Sequence, residues 1–98
     1  MAIRIDPEKN EVGALKQVAD WRGKRVLEIG CGDGRLTRRL ARLGAQVLAI
    51  DSDASLIRKA RRELPPGFAP RVRFQAGGTG RLKYPSNAFD LIVFAWSL

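Results

Sequence analysis

The chain has 98 residues, of which 45% are hydrophobic and 29% charged, with one cysteine and no histidine. This composition fits one globular domain over residues 1–98 and excludes collagen-like, coiled-coil and disordered chains, a disulfide framework and a Cys/His metal site. No apolar run approaches the roughly 20 residues that cross a bilayer, so we expect a cytoplasmic protein without membrane contact. The formal net charge of +8 favours an anionic partner, with nucleic acid as the first candidate.

The chain opens with a segment that we expect to be irregular, because residues 1–9 contain Pro7 and mixed charges. Residues 10–21 carry apolar side chains at helical spacing, which predicts a helix that ends before Gly23. Arg25–Ile29 has the apolar character of a buried strand. A tight glycine loop with the sequence GCGDG follows this first strand at residues 30–34.

Two helices and a strand are predicted after the glycine loop. The first helix begins after Gly34 and ends at Gly44, which suits a left-handed cap. Residues 46–50 form a second buried strand, and residues 51–53 offer side-chain oxygens to the free amides of the second helix. The side chains that the two helices are expected to bury are Leu36, Leu40 and Leu43, and then Leu56, Ile57, Ala60 and Leu64.

Two more strands complete the pattern. Residues 71–75 alternate between apolar and polar side chains and lead into a glycine-rich loop at residues 77–80. Residues 90–95 include a continuous apolar run, which predicts a fourth strand buried on both faces. This alternation of strands and helices predicts an α/β fold, a Rossmann-like doubly wound parallel sheet with flanking helices. Such folds bind ligands at the carboxyl ends of their strands.

Basic residues form a stripe on each of these two helices. Aromatic residues are not interleaved with the stripes, so they offer no platform for base stacking. Solvated helix faces are one interpretation, and a nucleic-acid-binding surface is the alternative. The stripes consist of Arg35, Arg38, Arg39 and Arg42, and of Arg58, Lys59, Arg61 and Arg62.

The glycine loop and the end of the second strand together predict a cofactor site. Gly30, Gly32 and Gly34 allow a tight turn and the close approach of a ligand to the backbone. Asp51 ends the second strand, where an acidic residue accepts hydrogen bonds from ribose hydroxyls in dinucleotide-binding folds. The dinucleotide fingerprint G-x-G-x-x-G would need glycine in place of Arg35, which disfavours an NAD(P)-dependent enzyme.

Three segments resemble the motifs of class I S-adenosylmethionine-dependent methyltransferases. VLEIGCGDGRLT at residues 26–37 resembles their first motif, and VLAIDSD at residues 47–53 resembles their second. LKYPSNAFD at residues 82–90, which continues into LIVFAWSL, resembles the LPFPDNSFD segment and fourth strand of the small-molecule and ubiquinone-biosynthesis branch. The resemblance covers about residues 21–98. It implies methyl transfer from S-adenosylmethionine to an acceptor that the sequence does not identify, with S-adenosylhomocysteine as product.

The resemblance also implies a role for each cofactor-binding position. The glycine loop, with Cys31 as a small buried residue inside it, would pass close to the methionine part and the ribose. Glu28 would help to hold the loop and the methionine ammonium, Asp51 would accept both ribose hydroxyls, and Ser52 would lie beside the adenine. The family usually has GDA after its third strand, and this chain has GGT at residues 77–79. Thr79 is therefore the candidate left to contact the adenine.

The family orders its first four strands 3-2-1-4 and adds three further strands that build the acceptor pocket. The resemblance therefore implies a domain truncated to about four strands, without the C-terminal substrate-binding half. Residues 91–94 would then form an open apolar edge, which pairs readily with another chain. We expect a homodimer or a complementing chain at this edge, and we leave open whether this chain alone turns over substrate. A non-catalytic basic module that binds nucleic acid or a partner protein is the alternative.

Overall fold

Five parallel strands of the described residues form one sheet. The computed structural model describes the backbone of residues 2–5 and all atoms of residues 20–77 and 88–95. The order across the sheet is β4-β3-β2-β5-β1, and each adjacent pair is parallel. The strands are β1 (Ala2–Ile5), β2 (Arg25–Ile29), β3 (Gln46–Asp51), β4 (Val72–Ala76) and β5 (Leu91–Ala95), and the helices are α1 (Arg35–Arg42), α2 (Ala54–Glu63) and a 3-10 turn (Pro66–Phe68).

The part β4-β3-β2-β5 of this sheet is the predicted order 3-2-1-4, and the Rossmann-like fold is confirmed. The prediction of an irregular start was wrong, because β1 is a strand. Its sequence, AIRI, has two β-branched isoleucines on either side of an arginine, which is a strand pattern that the nearby Pro7 obscured. The helix predicted over residues 10–21 lies almost wholly outside the described residues.

The edge of β5 is paired in this structure. Strand β1 lies alongside it in parallel register, from Ala2 opposite Ile92 to Ile5 opposite Ala95. The expectation of an open edge at the predicted fourth strand was therefore wrong, since the chain's own first strand covers the backbone groups of β5. Association with a second chain stays a prediction, and β1 is the strand at that border of the sheet.

Strand β5 is buried on one face only. Leu91 and Val93 are 6% and 0% exposed, whereas Phe94 is 41% exposed. Because successive side chains point to opposite sides of a sheet, the two buried residues face the helices and Phe94 faces away from them. The prediction of burial on both faces was therefore wrong.

The core lies between the helices and one face of the sheet. Leu36 and Leu40 of α1 and Ile57 and Ala60 of α2 are almost wholly buried in it, as predicted, while Leu43, Leu56 and Leu64 are half-buried. Gly44 has a φ of 93° after α1, which confirms the left-handed cap. The Asp53 side chain accepts hydrogen bonds from the amides of Ser55 and Leu56, which confirms that it caps α2.

Arg71 joins the start of β4 to the end of α1. Its Nη1 donates to the carbonyl oxygens of Ala41 at 2.8 Å and Ala45 at 3.3 Å, and its guanidinium lies 5.4 Å from the centre of the Phe68 ring. The Ala41 carbonyl also accepts a hydrogen bond from the Gly44 amide at 3.0 Å, so Arg71 adds a charged donor to a helix end that the backbone has already capped. Neither α1 nor α2 is long and apolar enough to cross a membrane.

Candidate cofactor site

The glycine loop is fixed to the carboxyl end of the neighbouring strand. The amides of Gly30 and Cys31 both donate to the carbonyl of Ile50, at 2.9 and 3.0 Å. Within the loop, the Gly34 amide donates to the Cys31 carbonyl at 3.0 Å. These bonds hold the loop where strands β2 and β3 end, which is the edge at which parallel α/β sheets bind ligands.

The three glycines of the loop have positive φ angles of 79°, 57° and 86° at Gly30, Gly32 and Gly34. A Cβ at Gly30 would lie 3.1 Å from the Ala95 carbonyl oxygen, and one at Gly34 would lie 3.0 Å from Phe74 Cζ. Among the described residues no heavy atom lies within 4 Å of the corresponding position at Gly32. Packing therefore requires glycine at the two ends of the loop, while the middle glycine borders open space.

Asp51 faces the glycine loop. Its Oδ2 accepts a hydrogen bond from the Gly32 amide at 2.9 Å, and its Oδ1 accepts one from the Asp53 amide at 2.8 Å. Its carbonyl accepts from the Gly77 amide at 2.9 Å, which brings the end of β4 to the same place. A carboxylate oxygen has two lone pairs, so each oxygen of Asp51 keeps one acceptor position for a ligand.

Glu28 lies fully buried at the base of the loop. Its Oε1 accepts a hydrogen bond of 2.5 Å from the Thr37 hydroxyl of α1, and its Oε2 has no hydrogen-bond partner among the described residues. Burial raises the pKa of Glu28 to about 7; the bond from Thr37 lowers it and the charge of Asp51 raises it. A carboxyl group with one orphaned buried oxygen indicates that a donor is missing from the site.

The other predicted site residues have less defined roles in the structure. Cys31 is 6% exposed, and burial together with the charges of Glu28 and Asp51 raises the pKa of its thiol far above the usual range. It is thus a neutral, space-filling side chain, as predicted, and not a nucleophile. Ser52 is exposed beside Asp51. Thr79 lies outside the described residues.

Sequence reasoning assigned no role to Thr37. Its neighbours Leu36, Leu40 and Ala41 are the buried residues of α1, and Thr37 itself is 0% exposed. A hydroxyl on the apolar face of a helix must find a partner, so its position on that face was the signal that could have indicated a buried polar contact. The acidic residue on the adjoining strand was the available acceptor.

The site combines hydrogen-bond acceptors, an open backbone position and a buried carboxyl at one edge of the sheet. Asp51 presents acceptors at the strand end, Gly32 leaves room for a close approach, and Glu28 holds an oxygen without a donor. Helix α1 begins directly after the loop, and its N-cap Gly34 offers no side-chain acceptor, so the amides of its first turn are left without a side-chain cap. Fold and site together define a Rossmann-like domain built for a nucleoside-containing cofactor.

Comparison with known proteins gives the family. The model of the methyltransferase domain family matches residues 26–98, so the chain belongs to this family, and the resemblance seen in its motifs is confirmed.

Individual relatives agree with this assignment. The chain is 40% identical over 81 residues to the ubiquinone/menaquinone biosynthesis C-methyltransferase of Azotobacter vinelandii, covering 79% of this chain and 32% of that protein. It is 45% identical over 58 residues to the magnesium-protoporphyrin O-methyltransferase of Rhodobacter capsulatus, covering 59% of this chain and 26% of that protein. The chain thus spans about a third or less of these two curated relatives.

Solved structures show the same fold. The RNA methyltransferase of Salinibacter ruber, crystallised with S-adenosylhomocysteine, superimposes with a TM-score of 0.72 at 27% identity, over 85% of this chain and 55% of that one. An S-adenosylmethionine-dependent methyltransferase of Listeria monocytogenes, described as putative, gives 0.71 at 26% identity, over 82% and 37%.

Proposed function

We propose that this chain binds S-adenosylmethionine between the glycine loop and Asp51 and forms the cofactor half of a methyltransferase active site. The observation that carries the proposal is the 2.9 Å hydrogen bond from the Gly32 amide to Asp51 Oδ2, which sets a carboxylate against a glycine loop at the carboxyl ends of two parallel strands. Family membership supports it, as does the S-adenosylhomocysteine bound by the structurally similar Salinibacter enzyme.

Asp51 would accept the two ribose hydroxyls. Backbone amides already hold both of its oxygens, so the carboxylate is oriented before a ligand arrives and loses little side-chain freedom on binding. Ser52 would lie beside the adenine, and the backbone around Cys31 and Gly32 would follow the ribose and the methionine part. Glu28 would face the cationic end of the cofactor, and Thr79 would contact the adenine.

When bound, S-adenosylmethionine supplies a methyl group on a sulfonium, which needs no metal or acid to activate its leaving group. The protein's part in such a displacement is to align acceptor and cofactor and to exclude water. In this proposal the described residues would hold most of the cofactor, and they assign no acceptor.

The proposal extends to the rest of the active site and to the chain's location. The acceptor pocket would come from outside the described residues, through a second copy of this chain or a complementing chain at the β5–β1 border of the sheet. A location in the cytoplasm remains our prediction. This chain covers about a third or less of the two curated relatives. That coverage supports the idea that further polypeptide takes part in turnover.

A nucleic-acid contact through the two helices is a second proposal, supported by charge. Within the stripes, Arg38 lies 3.7 Å from Glu63, Lys59 lies 3.6 Å from Asp33, and Arg61 donates to the Phe74 carbonyl. The remaining exposed arginines on α1 and α2 are Arg35, Arg42, Arg58 and Arg62. Replacing these four by glutamine should weaken retention on RNA and lessen its salt dependence. Unchanged retention would exclude this surface.

Calorimetric titration with S-adenosylhomocysteine tests the cofactor proposal. We expect saturable binding to the wild type, and a loss of at least tenfold in affinity in Asp51→Ala, because hydrogen bonds to a charged group contribute about 1.5–3 kcal/mol each. Asp20→Ala is the matched control, since Asp20 is exposed and bonded to Arg22 away from the loop. Tighter binding of NAD than of S-adenosylhomocysteine, or equal binding by Asp51→Ala and the wild type, would overturn the proposal.

A further inference from the structure

The described residues do not stabilise a negative charge on the buried carboxyl of Glu28. Thr37 donates to one oxygen, and the other oxygen is shielded from water without a donor. An ionised carboxylate in this setting is costly, because burial removes its hydration and a single hydroxyl returns only part of it. Below its raised pKa of about 7, Glu28 is therefore mainly the neutral acid when the site holds no ligand.

The described elements packed around Glu28 bring no cation to it. Strand β3 contributes the Asp51 carboxylate, and the glycine loop contributes the neutral thiol of Cys31. Strand β5 (Leu91–Ala95) has no titratable residue, and the Asp33 carboxylate of the loop is engaged by Lys59. Helix α1 contributes Thr37, while its Arg38 is turned to the Asp33 carbonyl and to Glu63. No described side chain brings a positive charge to Glu28, so a cationic ligand is the partner that we consider for it.

We propose that Glu28 is a neutral acid in the empty site and becomes a carboxylate when a cationic ligand group binds. Binding therefore releases one proton to solvent. Thr37 is the residue that positions Glu28 for this exchange. The inference rests on the proposed cofactor site and adds that this site favours cationic ligands over neutral ones. The O–H bond of Glu28 breaks, the proton leaves to buffer, and the positive charge of the ligand bound at the loop compensates the charge of the buried carboxylate. Ligands that lack the cation gain nothing from the exchange.

The exchange makes affinity depend on pH in a defined direction. Below the pKa of about 7 in the empty site, binding must remove a proton, so the affinity for a cationic ligand rises with pH until Glu28 is already ionised. For S-adenosylhomocysteine, which carries an ammonium group, we expect binding about fivefold tighter at pH 7.0 than at pH 6.0, the ratio that this linkage gives. Thr37 stabilises the carboxylate, so its hydroxyl sets where this change occurs.

Proton counting by calorimetry tests the inference. At pH 6.0, in two buffers with different ionisation enthalpies, S-adenosylhomocysteine binding to the wild type should release about 0.9 proton, the protonated fraction of an acid with this pKa. Glu28→Gln, which keeps the shape and cannot ionise, should release none and should bind with a flat pH profile. The neutral ligand 5′-methylthioadenosine, which lacks the amino-acid end, should release none from either protein.

Two Thr37 variants separate positioning from packing. Thr37→Val keeps the shape and removes the donor, so the pH profile of binding should move to higher pH, whereas Thr37→Ser should restore the wild-type profile. A packing role alone would change stability and leave the profile in place.

A second measurement needs no variant. The ¹³C resonance of the Glu28 carboxyl should titrate near neutral pH in the free protein and at lower pH with S-adenosylhomocysteine bound. A midpoint near 4.5 in the free protein, or binding at pH 6.0 whose heat does not depend on the buffer, would overturn the inference while leaving the cofactor site intact. A folded wild type that binds no S-adenosylhomocysteine at any pH would instead overturn the proposed function, and the inference with it.

Discussion

Gly34 and Phe74 are packed so closely that the loop accepts no side chain between them. A Cβ at Gly34 would lie 3.0 Å from Phe74 Cζ, and the φ of 86° is one that residues with a side chain rarely adopt. The start of α1 is thus pressed against β4, the outermost strand of the sheet on that side.

Gly34→Ala should therefore lower the free energy of unfolding by about 2–4 kcal/mol, the sum of left-handed strain and overpacking. Gly32→Ala is the matched control: it has the same sign of φ but borders open space, and it should cost about 1 kcal/mol. Denaturant unfolding of the two variants checks this. Equal losses would show that Phe74 does not limit the loop.

The stability of the ligand-free protein should fall as the pH rises from about 4.5 to 7. Glu28 has a folded-state pKa of about 7 against 4.5 when unfolded, so the folded protein retains a proton that the unfolded chain has lost, and the stabilising contribution disappears as pH passes through the higher value. The loss is on the order of 3 kcal/mol. In Glu28→Gln this part of the dependence should be absent. Urea unfolding at pH 5 and pH 8 measures it, and identical pH slopes in both proteins would contradict the assignment.

Arg71→Leu should destabilise the protein by about 1–3 kcal/mol, because two carbonyls near the end of α1 lose a charged donor. Arg73→Leu provides the comparison, since Arg73 is exposed on the same strand region and should change stability by less than about 0.5 kcal/mol. Thermal unfolding of both variants at matched pH distinguishes them. A similar shift in the two melting temperatures would mean that charge, and not the helix-end contact, is responsible.

Weakening the pairing of β1 with β5 should expose an apolar strand edge and promote association. In a parallel pair, every second residue of an edge strand directs its N–H group to the neighbouring strand. Ile3 and Arg4 are adjacent in β1, so only one of the variants Ile3→Pro and Arg4→Pro removes a hydrogen bond to β5. Sedimentation velocity at micromolar concentration should show larger species for that variant and not for the other. The same sedimentation profile for both variants and the wild type would show that β1 does not protect this edge.

The fold was largely predictable because its signals are local. The cap at Asp53 and the stop at Gly44 follow from residue types at fixed spacing, and the order of four strands is the one that the family resemblance implied. Strand β1 was missed because four residues carry a weak pattern, and its pairing with a strand some 90 positions later is not encoded nearby. The exposure of Phe94 was missed for a related reason: an apolar run does not show which of its faces a helix will cover.

The site was predictable in its outline and not in its electrostatics. The glycine spacing and Asp51 indicated where a cofactor would bind, and the structure brings them within one hydrogen bond of each other. The contact between Thr37 and Glu28 joins a helix to a strand, and only the packed arrangement shows that one oxygen of Glu28 lacks a donor.

Helix α1 is held at both of its ends by buried or half-buried side chains from the sheet region. Near its beginning the Thr37 hydroxyl is bonded to Glu28, and at its far end the Ala41 carbonyl is bonded to Arg71. A helix bonded near both ends has little freedom to slide or tilt when a small molecule binds. Within the described part of the loop, adjustment on ligand entry falls to the stretch at Gly32, which borders open space, while Gly30 and Gly34 on either side are closely packed.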